Sequence, residues 1–101
     1  MPKGYWIGRV DVVDPDKYNE YIVAAAIPFT KYGARFVVRG GKFKAAEGAS
    51  RARNVVIEFP SYQAALDCWN SSEYKRASVL RMQATHADII IIEGYDGPQL
   101  S

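Results

Sequence analysis

Tyr5-Trp6-Ile7-Gly8-Arg9-Val10-Asp11-Val12, running into Asp14-Pro15, decides the fold, because Val55-Val56-Ile57-Glu58-Phe59, running into Pro60-Ser61, repeats its plan. The first stretch alternates in the manner of a half-buried strand, and Asp14 with Pro15 supplies an N-cap oxygen and a ring pre-set for the first helical turn. The second, from Asn54 to Phe59, is rich in β-branched and aromatic residues, and Ser61 caps the helix that follows. Each helix leads to a further strand. Phe36-Val37-Val38 follows a Gly33 C-cap, and Ile89-Ile90-Ile91-Ile92 follows a short helical stretch from about Ser72 to Met82. The order βαββαβ predicts an α+β, ferredoxin-like fold with a four-stranded antiparallel sheet.

Length and composition agree with one such unit. A chain of 101 residues, 49% hydrophobic and 24% charged, reads as one globular domain over residues 1–95 with a loose tail at 96–101. By general scaling it buries only about two-thirds of its unfolded surface, so association would add stability. A net charge of +2 is too small to imply a polyanionic partner. Neither a signal-like apolar run at Met1–Tyr5 nor a stretch of membrane-spanning length occurs, so a cytoplasmic protein without a membrane partner is expected. Gly40-Gly41, Lys42-Phe43-Lys44 and Glu47-Gly48 read as a β-excursion between the middle strands.

The last strand predicts a partner. A sheet with helices on one side and water on the other should alternate, yet Ile89 to Ile92 puts isoleucine on both faces. Phe36, Val38, Val55, Ile57 and Phe59 are expected toward the helices, with Val37 and Val56 opposite them. Together with Ile90 and Ile92 these would form an apolar face suited to a second copy of the chain, a two-fold homodimer. The competing reading is a sheet that is apolar and simply exposed.

Few residues offer chemistry. His86 is the only histidine and Cys68 the only cysteine, so no multi-histidine metal site and no internal disulfide can form within one chain. His86 reads as a surface or capping residue and Cys68 as a buried filler rather than a nucleophile. Tyr18, Tyr21, Ile22, Ala25, Phe29 and Tyr32 recur at steps of three and four, a stripe facing the sheet. That stripe is core, but its hydroxyls need partners, and a cleft between helix and sheet would provide them along with room for a small ligand. Pro28 should kink the helix and could open such a cleft.

Six of the thirteen cations, Arg35, Arg39, Lys42, Lys44, Arg51 and Arg53, stand in one stretch opposed only by Glu47. They read either as solvated hairpin charge or as an anion site. Arg39 is the choice within it, assigned to the sheet face with Val37; Arg9 and Glu58 lie across that face, so an internal salt bridge competes with ligand binding. No phosphate-loop or dinucleotide template fits Gly40-Gly41. The βαββαβ order also belongs to RNA-recognition modules, but Asn54 and Val56 stand where the base-stacking aromatics would be, so nucleic acid is not an expected partner.

As a set, Asp14-Pro15 with Tyr18 and Tyr21, then Gly33, Val38-Arg39-Gly40-Gly41, Glu47-Gly48, Arg53 to Ser61, Ser71 with Glu73-Tyr74, Arg81 and Glu93-Gly94 resemble the family called domain of unknown function 1330. The resemblance covers nearly the whole chain. It implies the dimeric α/β-barrel superfamily, in which two ferredoxin-like subunits join their sheets, with relatives that include cofactor-free monooxygenases, isomerases, stress-responsive proteins and a haem enzyme. This chain departs from the family pattern at Cys68-Trp69, Asn70 and Ser72, which alters the wall beside the second helix. Haem is disfavoured because neither covering helix carries a histidine, and no cofactor is expected. The expected function is therefore binding of a small anionic or phenolic molecule between helix and sheet, by Tyr18, Tyr21 and Tyr74 with Arg39, Glu58 or Arg81. As an enzyme it would carry out proton transfer, cofactor-free oxygenation or isomerisation. The alternatives are a non-catalytic ligand-binding or stress-responsive dimer and, remotely, an RNA-recognition-like module.

Overall fold

Burial alternates along Gly4–Val12 in the computed structural model, which describes residues 1–100: Gly4, Trp6, Gly8 and Val10 are buried and the residues between them are not. This is strand β1. Asp14 Oδ1 accepts the Lys17 N–H at 3.1 Å and Pro15 opens α1, Pro15–Lys31. The helix ends in a Schellman motif: Ala34 N–H donates to Phe29 O and Gly33 N–H to Thr30 O, with Gly33 at φ 74°, a conformation glycine adopts without a Cβ clash. Pro28 sits buried inside α1 without ending it. Strands β2, Arg35–Arg39, and β3, Arg53–Phe59, follow.

Serines set the remaining helices. Ser61 Oγ accepts the Ala64 N–H and starts α2, Tyr62–Asn70. Ser71 then serves two helices, its N–H and Oγ–H donating to Cys68 O while its Oγ accepts the Tyr74 N–H at the start of α3, Ser72–Ala84. Strand β4, Thr85–Glu93, closes the chain of elements. The sheet order is β2-β3-β1-β4 with every neighbouring pair antiparallel, the ferredoxin-like arrangement.

Trp6 is the centre of the core. It is 3% exposed, its Nε1–H donates to Ala65 O at 2.9 Å, and the rings of Phe29, Phe59, Trp69 and Tyr74 lie 4.8–5.3 Å from its own. Val55, Ile57 and Phe59 share its face of the sheet, as alternation predicts.

Strand β2 departs from strict alternation. Phe36 pairs with Ile57 but Val38 pairs with Val56, so the register shifts by a bulge between them. One extra residue sends every later side chain to the other face. Val38, expected toward the helices, therefore stands with Val56 on the open face, and Arg39, expected on the open face, stands with Val55 on the helix side. Val37 lies within the irregularity, 41% exposed.

The open face has an apolar middle and charged ends. Ile7, Val38, Val56, Ile90 and Ile92 occupy it, with Ile90 54% and Ile92 45% exposed. At one end Arg51 bridges Asp11 and Asp88 at 2.8 and 2.9 Å; at the other Glu58 faces Tyr5, Lys3 and Arg35.

Candidate functional site

The inner stripe of α1 does not seal against the sheet. Between them lies a cavity of ≈ 260 Å³, with Tyr18, Tyr21, Ile22 and Ala25 above, Trp6, Gly8, Val55 and Ile57 below, and Tyr74 and Arg81 of α3 at one side. Arg39 and Arg53 project into it from β2 and β3. Apart from Thr30 the rest of the wall is apolar, and among the described residues arginine is the only charged type lining it.

Each polar group is placed by a local cause. Tyr18 and Tyr21 are one helical turn apart on the buried stripe, their rings 5.6 Å from each other. Tyr74 follows the Ser71 cap into the first turn of α3 and is 1% exposed. Arg81 lies seven residues later on the same helix, close enough for its Nε–H to donate to Tyr74 Oη at 3.3 Å. Arg39 reaches the cavity because of the bulge, its guanidinium 4.1 Å from the Phe36 ring centre. Arg53 donates from Nε to Tyr18 Oη at 3.2 Å. Its guanidinium fits beside Gly40, at φ 66°, where a Cβ would collide with Arg53 Nη1. The arginine-glycine pair at 39 and 40 thus builds the site twice, once by supplying a cation and once by leaving room for another.

Hydrogen counting shows what the tyrosines offer. Tyr21 Oη and Tyr74 Oη are 2.9 Å apart and either can donate. One phenolic hydrogen joins them, and Arg81 supplies a further donor to Tyr74. The second phenolic hydrogen has no protein acceptor among the described residues. Burial, reinforced by Tyr74, holds the Tyr21 phenol well above its ordinary pKa; burial raises that of Tyr74 too, against the lowering effect of Tyr21 and Arg81. Both are neutral O–H groups at physiological pH and serve as donors rather than bases.

The arginines lack counter-charges. Among the described residues no carboxylate lies within ion-pair distance of Arg39, Arg53 or Arg81, although Arg35 has one and Arg51 has two. Five of the six residues expected to bind a ligand, Tyr18, Tyr21, Arg39, Tyr74 and Arg81, line the one cavity. Glu58 does not: alternation places it on the open face, hydrogen-bonded to Tyr5 Oη at 3.2 Å and ion-paired with Arg35, so it neither lines the cavity nor pairs with Arg39. Arg53 lines the cavity and was not singled out from the sequence, although its position two residues before Val55 on the same face was a usable signal.

Other reactive groups stand apart. His86 is exposed on the open face opposite Asp11. Cys68 is fully buried in α2 and burial pushes its thiol up to about 12, so it carries no thiolate near neutrality. Among the described residues no three His, Cys, Asp or Glu side chains gather as a metal site, and no helix is long and apolar enough to cross a membrane.

Comparison with known proteins gives the family and the fold. A protein of unknown function from Rhodopseudomonas palustris superimposes with a TM-score of 0.73 at 16% identity, over 95% of this chain and 85% of its own. SnoaB, a cofactor-independent oxygenase from Streptomyces nogalater, gives 0.63 at 10% identity over 99% and 97% of the two chains. A hypothetical protein from Arabidopsis thaliana gives 0.65 at 13% identity over 99% and 91%. At these identities the likeness is one of fold. No protein of curated function matches the sequence. The model of the family described as domain of unknown function 1330 matches residues 3–95, and the chain belongs to that family.

Proposed function

We propose that this member of the domain of unknown function 1330 family binds a small acidic molecule with an apolar ring in the cavity between α1 and the sheet. The observation that carries the reading is the convergence of Arg39, Arg53 and Arg81, none with a carboxylate partner among the described residues, on a space walled by aromatic and aliphatic side chains. A guanidinium beside a low-dielectric cavity favours an anion, and its planar fork suits a carboxylate. A volume of ≈ 260 Å³ lies just under the range of about 300–1,000 Å³ common for drug-sized ligands, so one or two fused rings fit.

The same geometry limits the chemistry. Among the described residues no histidine, carboxylate or lysine lines the cavity, and burial holds Tyr21 and Tyr74 protonated, so these residues supply no resident general base. What it can do is stabilise an anion once formed, lowering the pKa of a bound phenol, enol or carbon acid. That is the requirement of a cofactor-free oxygenation or isomerisation of an acidic substrate, the class to which the fold likeness to SnoaB also points. The missing base equally supports a second reading, a binding protein that turns nothing over. Incubation with an ionisable polycyclic phenol under oxygen separates them: oxygen uptake that Arg39→Met abolishes means catalysis, and binding without uptake means a carrier.

The test of binding is calorimetric titration with 2-naphthoate. The expected result is saturable one-to-one binding, weakened about tenfold or more in Arg53→Met, since each charge-assisted hydrogen bond contributes about 1.5–3 kcal/mol. Binding unchanged in Arg53→Met and Arg39→Met refutes the site.

The partner in this account is a second copy of the chain. Ile7, Val38, Val56, Ile90 and Ile92 leave an apolar stripe on the open face, bounded by charged clusters at both ends. Stacking two such faces about a two-fold axis buries the stripe.

A further inference from the structure

We infer that the cavity selects an aromatic acid bearing a second oxygen, a planar ring that presents a carboxylate to one flank of the site and a hydroxyl or equivalent acceptor to the other. This rests on the reading that the cavity binds an acidic ring, and adds to it which second group the ligand carries.

The donors form two separate arginine-tyrosine pairs. Arg53 Nε–H is committed to Tyr18 Oη, and Arg81 Nε–H to Tyr74 Oη, at 3.2 and 3.3 Å. In each pair the tyrosine fixes the guanidinium through Nε and leaves the terminal nitrogens free to meet a ligand. The pairs come from different sides. Arg53, joined by Arg39, stands on β3 and its edge neighbour β2 in one half of the sheet, whereas Arg81 stands on α3, which runs directly into β4 at the opposite edge. Beside Arg81 the Tyr21–Tyr74 contact leaves one phenolic hydrogen without a protein acceptor among the described residues. A single carboxylate occupying the Arg39–Arg53 flank leaves that hydrogen unused, in a buried place where an unpaired donor is unfavourable. A ligand oxygen there completes it.

Between the flanks the floor is empty by sequence, not by necessity. Gly8 lies on β1 facing the cavity, and a Cβ there would meet only Ile89 Cγ1, at an ordinary 3.8 Å. Gly8 is not among the glycines at positive φ. Neither backbone conformation nor close packing requires glycine, which is otherwise a poor residue for the middle of a strand. Its missing side chain is the seat of the ring.

The experiment compares 2-naphthoate with 6-hydroxy-2-naphthoate by calorimetry on the intact protein. The expected result is that the hydroxyl tightens binding about tenfold, as one added hydrogen bond to a charged group would. That gain should vanish in Arg81→Met and in the double variant Tyr21→Phe with Tyr74→Phe, while Arg53→Met weakens both acids to the same degree and Gly8→Val excludes both. No gain from the hydroxyl in the wild-type protein, or a gain that survives Arg81→Met, overturns the inference and leaves binding of a simple acid standing. Failure of both acids to bind, with circular dichroism showing the fold intact, overturns the cavity reading itself and this inference with it.

Discussion

Replacing Gly8 by alanine should make the protein more stable and its ligand weaker. The magnitude follows from the surroundings of Gly8. Removing a glycine from the interior of a strand is worth about 0.5–1 kcal/mol through the unfolded chain. The new methyl group meets Ile89 Cγ1 at 3.8 Å and nothing nearer, so no repulsion offsets that gain. In a chain of 101 residues, 1 kcal/mol shifts the melting temperature by roughly 4–8 °C, and the expected rise is therefore about 2–8 °C. Differential scanning calorimetry of wild type and Gly8→Ala reads it directly. The ligand should move the other way, because the methyl group occupies the floor on which the ring lies. A change that stabilises the fold while damaging binding marks a space kept open for function. A fall of more than about 1 kcal/mol in stability would instead mean that the glycine serves packing, and the argument from Gly8 would be wrong.

Three further outcomes are expected. Trp6→Ala removes the ring on which four others converge and should destabilise by about 3–5 kcal/mol in urea titration, close to global unfolding for a small domain. The Tyr21 and Tyr74 pKa values are raised above the ordinary 10.0, so the folded state holds their protons more tightly than the unfolded one. Their contribution is full below about pH 10 and declines as pH rises through the folded values; the urea midpoint should fall in that range, and fall less in Tyr21→Phe. Val56→Glu, on the apolar stripe of the open face, should convert the proposed dimer to monomer in sedimentation velocity while far-ultraviolet circular dichroism is unchanged; a wild-type protein that is monomeric at micromolar concentration contradicts the dimer.

The elements were legible because they are set by short-range chemistry. Alternation marks β1 and β3, while Asp14-Pro15 and Ser61 mark helix starts that the structure places at those caps. The bulge in β2 was not legible, since Phe36-Val37-Val38 contains no glycine or proline to announce it and every residue in it favours a regular strand. That single irregularity misplaced Val38 and Arg39 together, and turned an arginine expected on the face of Glu58 into a cavity residue. Arg53 was hidden in a different way, as one cation in a run of six of which only it and Arg39 reach the cavity. Its role depends on Gly40 and Tyr18, which come from distant parts of the chain. The emptiness beneath α1 was equally hidden, because a glycine in an alternating strand looks the same whether its neighbours fill the gap or leave it.

The most direct measurement is a crystal structure of the protein with 2-naphthoate bound. The account predicts the ring over Gly8, its carboxylate against the guanidinium groups of Arg39 and Arg53, and Tyr21 and Tyr74 within hydrogen-bond reach of whatever completes the deep end. A carboxylate on the Arg51, Asp11 and Asp88 cluster of the open face, or a ring lodged outside α1 with the cavity unchanged, would contradict it.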